Sequence, residues 1–183
     1  MTTMTTAGPR PRAAGLDPRA LLINLILCLA LLGQFLLGMV TNLFVTIPPQ
    51  HPGIDAHEYF AGVVQVIGWA VPHGTGWLTA HVLFGLVLVV AGLADLATIR
   101  RVRSGAYAAA TFLGALAIIG AGFNGASFLI YDHDLSSMLM AGLWALALLC
   151  YLLCLLARRA VSVAEVPAAG AWAPPRPDGE RAD

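Results

Sequence analysis

The chain has 183 residues, of which 58% are hydrophobic and 11% are charged, and its mean hydropathy is +0.79. A soluble domain carries about 25% charged residues, so this composition excludes an ordinary soluble fold and predicts a membrane protein. The basic residues are all arginines, which lie beside apolar stretches or in the terminal tails. Arginines in such positions set membrane orientation, so we expect no nucleic-acid partner.

The first 20 residues have no apolar periodicity and predict a disordered cytoplasmic tail. Residues 21–47 are apolar and predict the first transmembrane helix. This stretch is too long for the core of a signal peptide, and no small-residue cleavage site follows it. Pro48 and Pro49 end the helix, because proline lacks an N–H and disfavours helical structure before it. The arginines that precede the helix place its start in the cytoplasm.

Residues 50–76 form an outer segment that contains a second apolar run, residues 59–71. This run is too short to cross a bilayer, so it predicts an interfacial or re-entrant helix packed over the outer ends of the bundle. Tyr59 and Trp69 suit the level of the lipid headgroups. Counting the run as a span would place the arginines at 100–103 outside, against the positive-inside rule.

Three further spans are predicted at 77–98, 107–131 and 135–157. The aromatic residues Tyr107 and Tyr131 are expected to anchor the third span at the two membrane surfaces. Residues 158–183 predict a second disordered cytoplasmic tail. Short connections make sequential helices antiparallel neighbours. The predicted fold is therefore an all-α, transmembrane, up-down four-helix bundle with a short outer interfacial helix and both termini in the cytoplasm.

His81, Gly85, Leu88, Gly92 and Asp95 share one face of the second span, because their spacing returns to the same side of a helix. A glycine-lined face with ionisable groups is expected to point into the bundle and away from lipid. Asp95 lies near the inner arginines, so we expect an interfacial ion pair there.

A polar layer is predicted in the outer part of the bundle, formed by Asn42, His81 and Asn124 with Ser127 nearby. At about 1.5 Å per residue, the first three lie roughly 6–10 Å from the outer ends of their helices. The inner halves of the spans are expected to be drier. Two interpretations stay open: interhelical hydrogen bonds, each worth about 1 kcal/mol or less, and a ligand pocket open to the outer face.

His81 and His133 are candidate axial ligands of haem b, which needs two imidazoles from different helices. The stretch LTAHVLFGL around His81 is similar to the start of a helix in small b-type cytochrome bundles, where glycine leaves room for the porphyrin. His133 departs from that pattern, because it lies in a turn between two acids.

A divalent-metal site is an alternative use of the outer histidines and acids, whose side chains are suitable ligands. None of them has a tight metal-ligand spacing, so solvated loops are the competing interpretation. The three cysteines lie in apolar stretches and predict packing residues instead of disulfides. The candidate metal ligands are His51, His57, His73, His133, Asp55, Glu58, Asp132 and Asp134.

The chain resembles a group of small four-span bacterial membrane proteins of unassigned function. The likeness rests on TNLFVTIPPQHPG at 41–53, HVLFGL at 81–86 and GAGFNGASFL at 120–129, and it covers most of residues 21–157. The resemblance implies a plasma-membrane location and four spans. It implies no activity, so no catalytic residue is assigned.

The leading functional hypothesis is a non-enzymatic accessory or binding protein with an outer-leaflet polar pocket around His81, Asn42 and Asn124. It requires no cofactor, and its expected partners are the lipid bilayer and subunits of membrane complexes. The alternative is a small b-type cytochrome-like electron carrier that holds haem b. A small-solute transporter is the third hypothesis, although the sequence has neither deep intramembrane charges nor an inverted repeat.

Overall fold

The computed structural model describes residues 18–99 and 104–164. Within these ranges the chain forms five α-helices and no strand, which confirms the predicted all-α class. Four of the helices contain stretches long and apolar enough to cross a membrane, and these indicate a multi-pass membrane protein. The helices are α1 (Pro18–Phe44), α2 (Tyr59–His73), α3 (Gly76–Thr98), α4 (Gly105–Tyr131) and α5 (Asp134–Ala164).

The helix ends differ from the predicted ends at both termini of the bundle. Helix α1 begins at Pro18 and ends at Phe44, three residues before the predicted end. Helix α5 continues past the predicted end at Ala157 to Ala164, because no glycine or proline interrupts that stretch. The rest of the predicted tails, residues 1–17 and 165–183, lies outside the described residues.

The four long helices form a ring in which sequential spans are neighbours. Helix α1 packs against α3 and α5, and α4 packs against the same two helices. Gly33 contacts Phe84 whereas Gly38 contacts His81, so α1 and α3 run in opposite directions. This is the up-down order that short connections impose. We call the end with the starts of α1 and α4 the arginine-flanked end, and the opposite end the histidine-flanked end.

The main core lies between all four long helices. Leu27 and Leu31 of α1 pack there with Leu88 of α3, Ile118 of α4 and Tyr151 of α5, each 6% exposed or less. Many large apolar side chains on the outer faces of the same helices stay exposed. That distribution is the one a lipid environment requires, since lipid tails cover the outside of a membrane bundle.

Helix α2 forms a second, smaller core at the histidine-flanked end. It has 15 residues and is about 22 Å long at 1.5 Å per residue, which is less than the 30 Å of a hydrocarbon core. Its buried face presents Val63, Val66 and Ala70 to Leu78 of α3 and Ile130 of α4. The predicted short helix is therefore present and packs over the end of the bundle. Its depth in a membrane stays a prediction.

A threonine at the start of α3 holds the end of α2. The Thr79 hydroxyl lies 3.1 Å from the Ala70 carbonyl oxygen and 3.2 Å from that of Val71. These carbonyls belong to the last turn of α2, where the N–H of Gly74 also donates to the Ala70 carbonyl at 3.1 Å. Thr79 thus serves α2 as a side-chain cap from a neighbouring helix.

Close packing of α4 on α5 generates the first prediction. A Cβ atom added at Gly114 would lie 3.0 Å from Cε2 of the Tyr151 ring and 3.3 Å from Cβ of Cys150. The ring is fully buried, so it has no free space into which to move. We expect Gly114→Ala to lower the free energy of unfolding by about 1–3 kcal/mol, as overpacking does.

The measurement is thermal unfolding of the purified protein in detergent. Gly122→Ala is the matched control in the same helix, because an added Cβ there meets nothing within 4 Å. Alanine also has the higher helix propensity, so this variant should melt at or above the wild-type temperature. Equal melting temperatures for the two variants would contradict the packing argument.

Candidate functional site

His81 lies between α3 and α1, on the face that its spacing predicted. A Cβ atom added at Gly38 of α1 would lie 3.0 Å from Cε1 of its ring. Gln34 of α1 donates from Nε2 to the His81 backbone oxygen at 3.0 Å, and the same nitrogen lies 3.5 Å from Nε2 of the ring. Gln34 was missed in the sequence analysis, although it stands four residues before Gly38 and so shares its helix face.

The amide of Gln34 constrains the protonation of His81. Nε2 of Gln34 is a donor, so a hydrogen bond to the ring nitrogen that faces it requires the tautomer in which Nδ1 carries the hydrogen. Nδ1 of His81 and Oε1 of Gln34 are both buried and have no hydrogen-bond partner among the described residues. The pair therefore holds one donor and one acceptor that no other described side chain uses.

The other members of the predicted polar layer have separate surroundings. Asn42 is exposed, because its neighbour Thr41 takes the position that faces α3 and lies 3.3 Å from the Trp77 carbonyl oxygen. Asn124 donates to the Gly120 carbonyl of its own helix at 2.8 Å. No hydrogen bond joins either asparagine to His81 within the described ranges. Similar depth therefore does not bring these three side chains into one contact.

Ser127 contacts the short outer helix. Its hydroxyl lies 2.8 Å from the hydroxyl of Tyr59 and 3.0 Å from the Phe123 carbonyl oxygen of its own helix. Tyr59 also donates to the Phe123 carbonyl at 3.2 Å. Ser127 thus connects α4 to the first turn of α2.

His133 has different neighbours from those of His81. It is exposed in the turn between α4 and α5 and stacks on Tyr131, with ring centroids 6.2 Å apart. Asp132, which precedes it, adopts the left-handed conformation with φ of 51°. The structure gives His81 and His133 no shared contact among the described residues, and haem binding by this pair stays a prediction.

Within the described residues, the outer histidines and acids do not show the geometry of a metal site. Among residues 18–99 and 104–164, no group of three His, Cys, Asp or Glu side chains has the geometry to hold a metal ion. His51 stacks on Trp69 of α2, with ring centroids 4.7 Å apart. The three cysteines are free thiols, and all are buried.

A cleft of about 470 Å³ opens at the histidine-flanked end, between the loop that precedes α2 and the first turns of α2. Ligand pockets in proteins occupy about 300–1,000 Å³, so the cleft is large enough for a small molecule. Its acidic and acceptor groups make it attractive to a cation. The polar side chains that line the cleft are His51, Asp55, His57, Glu58 and Gln65.

Contacts between backbones hold the cleft in shape. Gly53 has φ of +106°, a conformation that favours glycine. A Cβ atom there would lie 2.9 Å from the Gly62 carbonyl oxygen of α2. The loop therefore lies directly on the helix, and the stacking of His51 on Trp69 holds the loop start against the same helix. Both walls of the cleft rest on α2, so their spacing is preorganised.

A second polar region lies at the arginine-flanked end and was not predicted. The structure buries polar side chains from all four long helices there, each 4% exposed or less. The expectation that the inner halves of the spans are drier is therefore wrong. We call these residues the buried polar cluster. They are Asn24 of α1, Asp95 of α3, Tyr107 and Thr111 of α4, and Tyr151 and Cys154 of α5.

Hydrogen bonds join members of the buried polar cluster across the bundle. Asn24 donates from Nδ2 to the Tyr107 hydroxyl at 3.0 Å, although α1 and α4 are diagonal in the ring. The Thr111 hydroxyl lies 3.6 Å from Sγ of Cys154. Tyr107 was expected to anchor α4 at the membrane surface, and this is wrong, because the ring turns inward to meet Asn24. The ion pair expected for Asp95 stays a prediction, since the arginines at 100–103 lie outside the described residues.

The spacing of apolar neighbours was the signal for these buried residues. Asn24 precedes Leu27 and Leu31 by three and seven positions, and both leucines lie in the core. Tyr151 likewise stands between Ala147 and Cys154, both buried. Residues at such offsets share a helix face, so the core leucines place Asn24 inside the bundle.

No protein family, curated protein or solved structure matches the chain. The resemblance to four-span bacterial membrane proteins therefore rests on the three sequence stretches, together with the fit of four apolar helices to a small multi-pass membrane protein.

The different surroundings of the two candidate haem ligands lead to the second prediction. We expect the purified protein, expressed with ample haem, to show no Soret band, because His133 is exposed in a turn and His81 contacts Gln34 and Gly38. Visible absorption spectroscopy is the measurement. A Soret band that His81→Leu abolishes while His51→Leu preserves it would establish haem binding at His81 and contradict this expectation.

Proposed function

We propose that this protein is a non-enzymatic binding protein of the bacterial plasma membrane, with both termini in the cytoplasm. In this proposal it captures a small cationic solute at the cleft between α2 and the loop that precedes it. The observation that carries the proposal is the cleft itself, a preformed space of about 470 Å³ with five polar side chains in its lining.

The distribution of charge supports the orientation. The arginines that flank the four spans lie in the sequence at one end of the bundle. The positive-inside rule assigns that end to the cytoplasm. The cleft lies at the opposite end and, in this orientation, opens to the outer surface of the membrane.

The lining of the cleft supports a cationic ligand. Asp55 and Glu58 are carboxylates that accept hydrogen bonds and carry negative charge at neutral pH. Gln65 contributes an amide oxygen from α2, and the histidines contribute ring nitrogens that accept when neutral. No arginine whose side chain the structure describes lines the cleft. Acceptor groups with two negative charges match an organic ammonium group.

The cleft differs from the pocket that the sequence predicted. His81, Asn42, Asn124 and Ser127 do not line it. The proposal keeps the location at the outer surface and the binding role, and it assigns them to the loop and α2. The exposed apolar faces of the long helices contact lipid in this proposal, and they leave room for subunits of a membrane complex.

The third prediction tests orientation by cysteine labelling in intact cells. The three native cysteines are buried, so a new cysteine gives a clean signal. A membrane-impermeant maleimide should label Asp55→Cys from outside and should label Arg101→Cys only after the membrane is opened. Labelling of position 101 in intact cells would reverse the proposed orientation.

The fourth prediction tests binding with putrescine, a small diammonium probe. Putrescine should raise the melting temperature of the wild type in nanodiscs, since a ligand that binds the folded state stabilises it. Replacing both carboxylates, as Asp55→Asn with Glu58→Gln, should weaken binding by about tenfold or more, since hydrogen bonds to charged groups are worth about 1.5–3 kcal/mol.

Asp132→Asn is the matched control for this experiment. Asp132 is an exposed acid at the same end of the bundle, but it does not line the cleft. Asparagine also tolerates its left-handed backbone. Putrescine should therefore bind this variant as it binds the wild type. If putrescine binding weakened equally in the control and in the cleft variant, the loss would reflect the charge of this end of the bundle and not the cleft. A wild type whose melting temperature does not respond to putrescine would count against the cationic ligand.

A further inference from the structure

Asn24 and Tyr151 of the buried polar cluster carry groups whose hydrogen-bonding capacity no described residue uses. Oδ1 of Asn24 and the hydroxyl of Tyr151 have no hydrogen-bond partner among the described residues. Both side chains are 0% exposed, so neither bulk water nor a lipid headgroup reaches them from outside. Hydrocarbon offers no hydrogen bond, so leaving such groups unsatisfied in a membrane is costly.

The surroundings of the Tyr151 hydroxyl are polar. Asp95, Tyr107, Cys150 and Cys154 all interact with it electrostatically. These residues come from three different helices that converge at one point. An apolar void would need no such set, because voids lined by apolar side chains stay dry.

A glycine lets α3 pass close to the hydroxyl. A Cβ atom added at Gly92 of α3 would lie 3.6 Å from the Tyr151 hydroxyl oxygen and 3.3 Å from Cδ1 of Ile118. A larger side chain at this position would therefore crowd the hydroxyl. An internal water needs two to four polar partners, and the buried polar cluster supplies them.

We propose that the buried polar cluster binds internal water in the arginine-flanked half of the membrane span. The water donates a hydrogen bond to Oδ1 of Asn24 and accepts one from the Tyr151 hydroxyl. One molecule thus satisfies an acceptor and a donor that the protein leaves unused. Asn24 keeps its direct bond from Nδ2 to Tyr107, so its amide is satisfied on both sides.

Water fits this position better than other small species. A metal ion does not fit this position, because no group of three His, Cys, Asp or Glu side chains among the described residues has the geometry to hold one. Lipid is excluded by the complete burial of Asn24 and Tyr151. Asn24 stands one helical turn inside the membrane-crossing stretch that begins at Leu21, at a depth of about 5 Å. Exchange with the aqueous phase at the arginine-flanked end therefore needs only a short path.

This proposal is independent of the outer cleft and has a different consequence. It places exchangeable water in the same buried polar cluster as Asp95 of α3, and so brings exchangeable hydrogens into the interior of the bundle.

The fifth prediction uses X-ray radiolytic footprinting of the full chain in nanodiscs. Radiolysis converts bound water to hydroxyl radicals, which oxidise the side chains that they touch. Tyr151 should be oxidised although it is 0% exposed, whereas Leu31, which is 2% exposed in the main core, should not be. Gly92→Ala should lower the Tyr151 signal, because the added methyl group would lie 3.6 Å from the hydroxyl oxygen and crowd water bound to it. Tyr151 labelling no greater than that of Leu31, after correction for intrinsic reactivity, would overturn the proposal.

Thermal unfolding of Tyr151→Phe gives a second readout that does not depend on radiolysis. If the hydroxyl binds water, its removal should lower the melting temperature by about 2–4 °C, which corresponds to about 1 kcal/mol in a chain of this size. If the hydroxyl has no partner, removing it should leave the melting temperature unchanged or raise it. The double variant with Asn24→Leu should be no less stable than Asn24→Leu alone, because one water serves both groups. Additive losses would show that the two residues do not share a water.

Discussion

The absence of hydrogen-bonding groups in hydrocarbon determines where this protein places its polar atoms. Every polar group within a span must be satisfied by protein or by bound water. Trp144 obeys this constraint across the α1–α5 contact, where its indole nitrogen donates to the Leu31 carbonyl at 2.8 Å. Asn124 obeys it within its own helix by donating to Gly120. Asn24 and Tyr151 differ, because Oδ1 of the first and the hydroxyl of the second have no hydrogen-bond partner among the described residues.

The bundle holds together without the driving force that stabilises soluble cores, since lipid tails are as apolar as leucine side chains. Close packing of small residues and a few polar contacts replace it. The ring of Tyr151 packs against Gly114, Leu143 packs against Gly120, and Phe84 packs against Gly33. Phe35 of α1 also stacks on Trp144 of α5, with ring centroids 4.8 Å apart. Gly92 of α3 likewise faces Ile118 of α4, so all four contacts between neighbouring helices in the ring use either a glycine or an aromatic pair.

Most of the fold was predictable from the sequence because hydropathy and length specify membrane helices strongly. The four spans, the short outer helix and the inward face of Leu88 and Asp95 all follow from local patterns. The candidate sites were harder to predict, because depth along a helix can be counted whereas direction around it depends on neighbours. Asn42 and His81 have similar depths, yet only His81 faces a partner helix. The direction of Tyr107 could not be predicted for the same reason, since an aromatic residue at the end of a span suits the lipid surface as well as the interior of the bundle.

Part of the surface that covers α2 is synthesised after α2 itself. Helix α2 buries Val63 and Val66 with Leu129 and Ile130, which belong to α4 and follow α2 by a whole span. The ribosome therefore delivers α2 to the membrane well before its partner residues exist. Until α4 arrives, the apolar face of α2 needs another apolar surface, and the nearest one is the lipid at the membrane boundary. The apolar face of α2 is therefore covered by protein only after α4 has entered the bilayer, whereas the cleft depends on contacts between α2 and the loop before it.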